Sequence, residues 1–281
     1  MRTAIVTDST AYIPLEVRKK WNIHMVPLQV IFKDEAYEEE VDISASEFYE
    51  KIKHSELPTT SQPPIGKFVE LFERLAGEGY EAIISIHLTS GASGTYQGAV
   101  AAGGMVEGIK VYAFDTEISC MAQGFYVLDA AEMAMRGEEP AAILARLEDL
   151  KTTADAYFMA DDLSHFVRGG RLNSAQAFFG GLLQVKPLLH FENKVIVPAE
   201  KIRTRKKALK RIAELLGEAI SGKSKPYRAV VIHANREAEA HEWKSELEAM
   251  YPSVEFSIGY FGPVIGTPIG EGGMGMGWMK K

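Results

Sequence analysis

Short apolar runs alternate with amphipathic stretches along the first half of the chain. Residues 3–6, 24–30, 82–86 and 111–114 are apolar and rich in β-branched types, which predicts buried strands. Between or after them, residues 15–20, 45–53, 64–76 and 122–135 carry helical periodicity. Pro140 opens a further helix to Leu150, with Ile143, Leu144, Leu147 and Leu150 on one face. This alternation predicts an α/β architecture around a largely parallel sheet.

The second half reads differently. A strand over 156–160 leads into Asp161-Asp162-Leu163, then a Gly169-Gly170 turn and a helix over 174–179. Residues 186–191 and 194–197 flank Glu192-Asn193 and predict a β-hairpin. A long helix over 204–220 places Ala208, Leu209, Ile212, Leu215, Leu216, Ala219 and Ile220 on one face. A strand over 228–234, a helix over 236–250 and a strand over 254–258 follow. The hairpin and helices predict a smaller α+β domain packed on the parallel-sheet domain. The polar stretch Lys151-Thr152-Thr153-Ala154-Asp155 divides the chain into an N-terminal α/β domain over 1–152 and a C-terminal α/β (α+β) domain over 153–281.

Composition narrows the class. The chain has 281 residues, 46% hydrophobic and 25% charged, ordinary values for a folded globular protein. A net charge of −7 argues against nucleic acid as the main partner. Cys120 is the only cysteine, so neither an intramolecular disulfide nor a C-x-x-C metal site is available. None of the histidines stands in an H-x₃-H or H-E-x-x-H arrangement, and no metal is expected. The first residues read directly as a strand rather than as a charged-then-apolar leader. No apolar run approaches the roughly 18 residues of a membrane span, and a cytoplasmic protein is expected.

Candidate chemistry concentrates in a few loops. The run Ile83-Ile84-Ser85-Ile86 passes through His87 into Ser90-Gly91-Ala92-Ser93-Gly94-Thr95-Tyr96 and a helix-compatible stretch. Glycines let backbone N–H groups turn inward, hydroxyls add donors, and a helix N-terminus adds partial positive charge. Together they suit a small anion such as a carboxylate or phosphate. The competing reading is an ordinary strand-to-helix loop with a serine cap. A second hydroxyl cluster, Thr59-Thr60-Ser61, precedes Pro63-Pro64, and its hydroxyls are open to capping or to anion binding. Two arginines, Arg168 and Arg171, surround the diglycine turn, and Lys201, Arg203, Arg205, Lys206 and Lys207 crowd the start of the long helix. Cations there oppose the helix dipole, which points to an anionic head group or an acidic partner, or simply to a solvated face.

Three strands end in acids, at Asp8, Asp115 and Asp161-Asp162, where open α/β sheets hold their ligands and where Asp also caps helices and turns. The tail over 262–278 alternates glycine with methionine, giving a backbone that approaches a ligand closely and lines it with soft apolar side chains. No G-x-S-x-G, Walker A or Rossmann fingerprint is present, so catalysis finds little support.

Taken in order, Thr7-Asp8-Ser9-Thr10, Thr60-Ser61-Gln62-Pro63, Ser90-Gly91-Ala92-Ser93-Gly94-Thr95-Tyr96, Gly170-Arg171-Leu172, Lys186-Pro187, Arg203-Thr204 and Gly262-Pro263-Val264-Ile265 resemble the DegV family over essentially the whole chain. The resemblance implies a two-domain α/β protein that encloses one long-chain fatty acid in an apolar tunnel between the domains. It implies no cofactor and no catalysis by the chain itself. Such proteins act as the binding subunit of a fatty-acid kinase, presenting the carboxylate to an ATP-dependent partner that makes acyl-phosphate for phospholipid synthesis, with transient contact at a membrane surface. Carried over by position, the carboxylate meets Thr60 or Ser61, Ser90 or Ser93, the backbone at Gly94, and Thr267. Arg171 and Arg203 serve the head group or the docking of the kinase. Many relatives carry a histidine in the C-terminal motif where this chain has Pro268, which has no hydrogen-bond donor. A small-molecule enzyme using the Ser90–Thr95 loop as its anion site remains the alternative, as does a regulatory protein docking through its basic helix.

Overall fold

The structure is a computed structural model and describes residues 1–160, 163, 166–167, 169–172 and 186–281. The readings placed on Asp161-Asp162, Arg168 and the helix over 174–179 lie outside the described residues.

The N-terminal half is built on a parallel sheet in the order β2-β1-β6-β7, comprising β1 (Thr3–Asp8), β2 (Ile23–Val26), β6 (Ala82–His87) and β7 (Lys110–Asp115). Every residue of β1 and β6 is buried, as expected for parallel strands covered on both faces. On one face, α3 (Ile65–Gly77) and α4 (Thr95–Gly103) bring Phe68, Phe72, Leu75, Ala99 and Ala102 against Val6 and Ile83. On the other lies α5 (Cys120–Met135), whose Ala122, Tyr126 and Ala130 share one core with Ile5, Ile84 and Ile86. The short α1 (Leu15–Lys20), α2 (Ala45–Ile52) and α6 (Pro140–Lys151) complete this half. Ser44 and Glu47 close a reciprocal capping box on α2.

The single strand expected over 24–30 is broken at Pro27, which has no N–H for a sheet ladder. Beyond it, β3 (Gln29–Phe32) leaves the parallel sheet and pairs antiparallel with β4 (Glu35–Glu38) and β5 (Thr59–Ser61) in the order β4-β3-β5. The strands β4 and β5 are polar and escape a hydrophobicity reading.

The second sheet has the order β10-β9-β8-β13-β11-β12, from β8 (Asp155–Met159), β9 (Lys186–Glu192), β10 (Val195–Ile202), β11 (Tyr227–His233), β12 (Val254–Tyr260) and β13 (Met274–Lys280). Only β11 and β12 run parallel; the other pairings are antiparallel. The hairpin turn falls at Asn193-Lys194, one residue later than expected, with both residues at positive φ.

Two helices, α7 (Arg205–Ile220) and α8 (Glu237–Met250), cover one face of this sheet. Their Ala208, Ile212, Leu216, Trp243 and Leu247 pack with Met274, Met276 and Trp278. The opposite face presents Phe158, Val230 and Ile232 to the core that contains α5. The α5 helix therefore lies between the two sheets.

The end of the glycine–methionine tail forms β13, a wholly buried strand inside the sheet, and the tail also lines an internal cavity through Val264, Ile265, Ile269, Gly275 and Met276. Met274 and Met276 pack with α7 and α8, Met279 joins the core on the other face, and Gly277 admits α5: a side chain there would come within 2.6 Å of the Ala122 Cβ. One helix in this region, α9 (Pro263–Ile269), has no counterpart among the sequence expectations.

The basic start of α7 is likewise partly explained by local structure. Thr204 caps the helix by accepting from Lys207 N–H (3.3 Å). Arg205 pairs with Glu239 (2.6 Å) and donates to the Gly272 carbonyl (2.5 Å).

Candidate functional site

A cavity of about 240 Å³ lies where the loops at the carboxyl ends of the parallel strands meet the second sheet. Its interior is apolar: Leu28 and Leu88 come from the N-terminal half, Phe158, Phe191 and Ile196 from the second sheet, and Val264 from α9. Phe158 is the hub of an aromatic cluster, with ring centroids of Phe166, Phe191 and Phe261 at 6.1, 5.8 and 6.5 Å. The polar lining comes from separate segments: Thr59, Thr60, Ser61 and Gln62 around β5, Ser93 from the loop before α4, Arg171, and Thr267.

Buried polar groups hold these loops. Asp8 ends β1 and caps the following 3₁₀ turn by accepting from Thr10 N–H (3.0 Å). It also accepts from Leu88 N–H (3.0 Å) and pairs with His87 Nδ1 (2.9 Å), whose Nε2 meets Ser85 Oγ (2.6 Å). Burial drives the Asp8 carboxyl up, but the His87, Thr10 and Leu88 hydrogen bonds outweigh it and leave the carboxyl below its ordinary range. The chain Asp8–His87–Ser85 has the order of a hydrolytic triad, yet His87 and Ser85 are fully buried and none of the three lines the cavity. It fixes the end of β6, and with it Leu88 and Thr89 in the cavity wall.

Asp115 performs the same service from β7. Its Oδ1 accepts from Ser90 N–H (3.2 Å) and Glu117 N–H (3.0 Å), and its carboxylate pairs with Lys194 (3.1 Å) at the tip of the hairpin.

Glu39 is the most deeply buried carboxyl near the cavity and was not singled out by sequence. It accepts from Ser9 Oγ (2.6 Å), Tyr12 OH (2.9 Å) and Val264 N–H (2.7 Å), tying α9 to the N-terminal half. Burial pushes its pKa up to about 8 against these three donors. Within the run Glu38-Glu39-Glu40 nothing in the sequence distinguishes it from a solvated acid.

The structure brings Thr60, Ser61, Ser93, Arg171 and Thr267 together on the cavity, with Pro268 beside Thr267. Ser93 Oγ also contacts Thr95 Oγ1 (2.8 Å) and accepts from Thr95 N–H at the start of α4, the local role of a serine before a helix. Thr267 Oγ1 donates to the Pro263 carbonyl (2.8 Å) within its own helix. Arg171 is exposed and donates to the Gly169 carbonyl (2.5 Å). Ser90, Gly94 and Arg203 do not line the cavity. Ser90 is turned to Asp115 through its N–H, and Gly94 lies beneath the Gln62 side chain. Arg203 is exposed at the β10–α7 junction. Gln62, Ser119 and Cys120 line the cavity without having been anticipated as site residues. Among the described residues no cluster of His, Cys, Asp or Glu is arranged to hold a metal ion, and no helix is long and apolar enough to cross a membrane.

Two dissimilar sheets sharing a core helix, with an apolar cavity rimmed by hydroxyls between them, define an α/β protein with an amphipathic internal cavity. The model of the DegV family, described as uncharacterised, matches residues 2–281, and the chain belongs to that family. It is 60% identical to the protein DegV of Bacillus subtilis, with both chains covered in full. The crystal structure of that Bacillus subtilis protein, described as fatty acid binding, superposes with a TM-score of 0.94 over 100% of both chains. A DegV family protein from Thermus thermophilus, described by its fatty acid binding, is 31% identical, with a TM-score of 0.92 and full coverage of both chains.

Proposed function

We propose that this protein binds one long-chain fatty acid, with the acyl chain in the cavity and the carboxylate at its hydroxyl rim. The observation that carries this reading is the division of the cavity between an apolar interior and a polar cluster drawn from β5, the loop before α4, and α9. The fatty-acid-binding relatives support it. Burying the acyl chain contributes about 0.8 kcal/mol per methylene. A hydrogen bond from a hydroxyl to the charged head group adds about 1.5–3 kcal/mol. The interior therefore dominates affinity, and the rim fixes orientation. Thr60, Ser61, Ser93 and Thr267 are the carboxylate donors in this reading, Ser61 and Thr267 by turning their hydroxyls from the Gln62 and Pro263 carbonyls. Ser90 and Gly94 act through the backbone of their loop.

The binding unit divides into an N-terminal domain over 1–152 and a C-terminal domain over 153–281, with the ligand between them. The chain itself performs no chemistry. It presents the carboxylate to an ATP-dependent kinase that forms acyl-phosphate for phospholipid synthesis, and Arg171 at the rim and the exposed Arg203 serve the head group or that partner. Solvent extraction of the purified chain followed by mass spectrometry is expected to yield a fatty acid in near-equimolar amount. Protein that carries none, and that fails to take up added octadecanoate, sinks the proposal. Reversing the charge of Arg203 and Lys206 is expected to abolish kinase-dependent acyl-phosphate formation while leaving the extracted lipid in place.

A further inference from the structure

The backbone at Gly94 does not require glycine. The residue stands just before α4 with φ −77° and ψ 7°, angles that other residues also adopt, and a serine or aspartate there would have capped the helix. What the position needs is the absence of a Cβ, because that space is taken. A Cβ there would lie 2.0 Å from Gln62 Oε1, 2.9 Å from Cδ and 3.3 Å from Nε2. The carboxamide of Gln62 therefore rests against the Gly94 Cα. Its oxygen is the nearest atom, as suits an acceptor over a Cα–H, and its nitrogen stands farther off.

The backbone of Gln62 is held from both sides. Ser61 before it ends β5 and pairs with Gln29 of β3. Pro63 after it restricts Gln62 to extended conformations. The side chain is exposed at the cavity and contributes to its lining. In this it differs from the rim hydroxyls of Ser61, Ser93 and Thr267, each of which has a partner within the chain. The Gln62 amide has no hydrogen bond among the described residues, so both donors of its NH₂ group are open. A glutamine loose in solvent samples many rotamers, whereas one seated in a notch presents its donors in a fixed place.

The chemistry of the donor sets what it prefers. A hydroxyl donates and accepts, and so serves an acid and an alcohol alike. An amide nitrogen only donates, and it gains most from a charged acceptor.

We propose that Gln62, seated on Gly94, selects an ionised carboxylate over a neutral head group at the cavity, with Gly94 as a positioning residue that acts through it. This role rests on the fatty-acid reading and deepens it.

The test uses the delipidated full chain and two ligands of equal chain length, octadecanoate and octadecanol. Affinities are measured at neutral pH by displacement of a fluorescent fatty acid. The readout is the ratio of acid to alcohol affinity within each protein, which a change in packing alone does not move, because both ligands bury the same chain. Gln62→Ala is expected to lower the ratio about tenfold. Gly94→Ala suits the local backbone and is expected to displace the amide and lower the ratio to the same extent. The double variant is expected to fall no lower than either single one, since both changes remove one interaction. Gln62→Glu keeps the shape of the side chain but exchanges the donor for an anion, and is expected to lower the ratio further than alanine does. A ratio unmoved by Gln62→Ala overturns the selective role. Effects of the two alanines that multiply in the double variant overturn the seating on Gly94. If octadecanoate itself fails to bind the folded wild type, it is the fatty-acid reading that fails, and the role of Gln62 falls with it.

Discussion

At the residue scale, the cavity is rimmed by hydroxyls whose positions were readable and whose convergence was not. Thr60 lies on an edge strand, Ser93 precedes α4 and Thr267 sits on α9, and all three line one cavity. Replacing Thr60 and Ser93 together with alanine is expected to weaken fatty-acid binding by about a hundredfold or more, since two hydrogen bonds to a charged group, each worth about 1.5–3 kcal/mol, are lost while the apolar contacts remain. Displacement titration checks this, and a melting temperature within a few degrees of wild type shows that the loss is local.

Glu39 carries the clearest pH signature. Its folded pKa of about 8 lies above the ordinary carboxyl value of 4.5, so between those limits the folded chain keeps a proton that the unfolded chain releases. The contribution of Glu39 is fully present below about pH 4.5, falls as pH rises, and is lost once pH passes 8. Glu39→Gln is expected to flatten this part of the stability profile, and denaturant unfolding at pH 5, 6.5 and 8 checks it. Equal slopes for the two proteins across that range would show that Glu39 is not the titrating group.

At the element scale, the cavity wall is closed by the β9–β10 hairpin. Its strands supply Phe191 and Ile196, and its turn rests on the loop after β6. The Lys194 carbonyl accepts from Thr89 Oγ1 (2.6 Å) and lies 2.1 Å from where a side chain at Gly91 would begin. Only glycine permits that approach. Gly91→Ala is expected to lift the hairpin tip and speed ligand release several-fold, read by stopped-flow displacement, with secondary structure unchanged. An unaltered release rate would mean that this hairpin takes no part in enclosing the ligand. The element also shows why the turn was misplaced by one residue: Asn193 and Lys194 both adopt positive φ, and a lysine there gives no warning in sequence.

At the scale of the whole molecule, the two sheets are joined through α5 and through a core that runs from Ile5 and Ile84 to Val230 and Ile232. A fatty acid bound as proposed completes this core from inside. A ligand bound only by the folded chain stabilises it by RT ln(1 + [L]/Kd), about 2.7 kcal/mol at a hundredfold excess over Kd. Delipidated protein is therefore expected to melt about 5–10 °C below the loaded form. Calorimetry before and after adding octadecanoate checks this. Identical melting curves would mean that the added lipid does not occupy the folded protein.

The sequence by itself determined the alternation of strands and helices, because apolar periodicity reports which face of each element is buried. It also marked the hydroxyl loops and the family to which they belong. It missed β4 and β5 because their stability comes from pairing with β3 rather than from their own apolar character. The tail lines the cavity as its composition suggested; that glycine and methionine alternate in β13 to fit helices on one face and a core on the other was not legible, because that need exists only once α5 is in place. Tertiary structure alone decided which hydroxyls converge, that Glu39 is buried while acids beside it in the chain are not, and that the start of α5 faces a cavity. Each of these depends on elements distant in the chain coming into contact, which no local pattern of residues encodes.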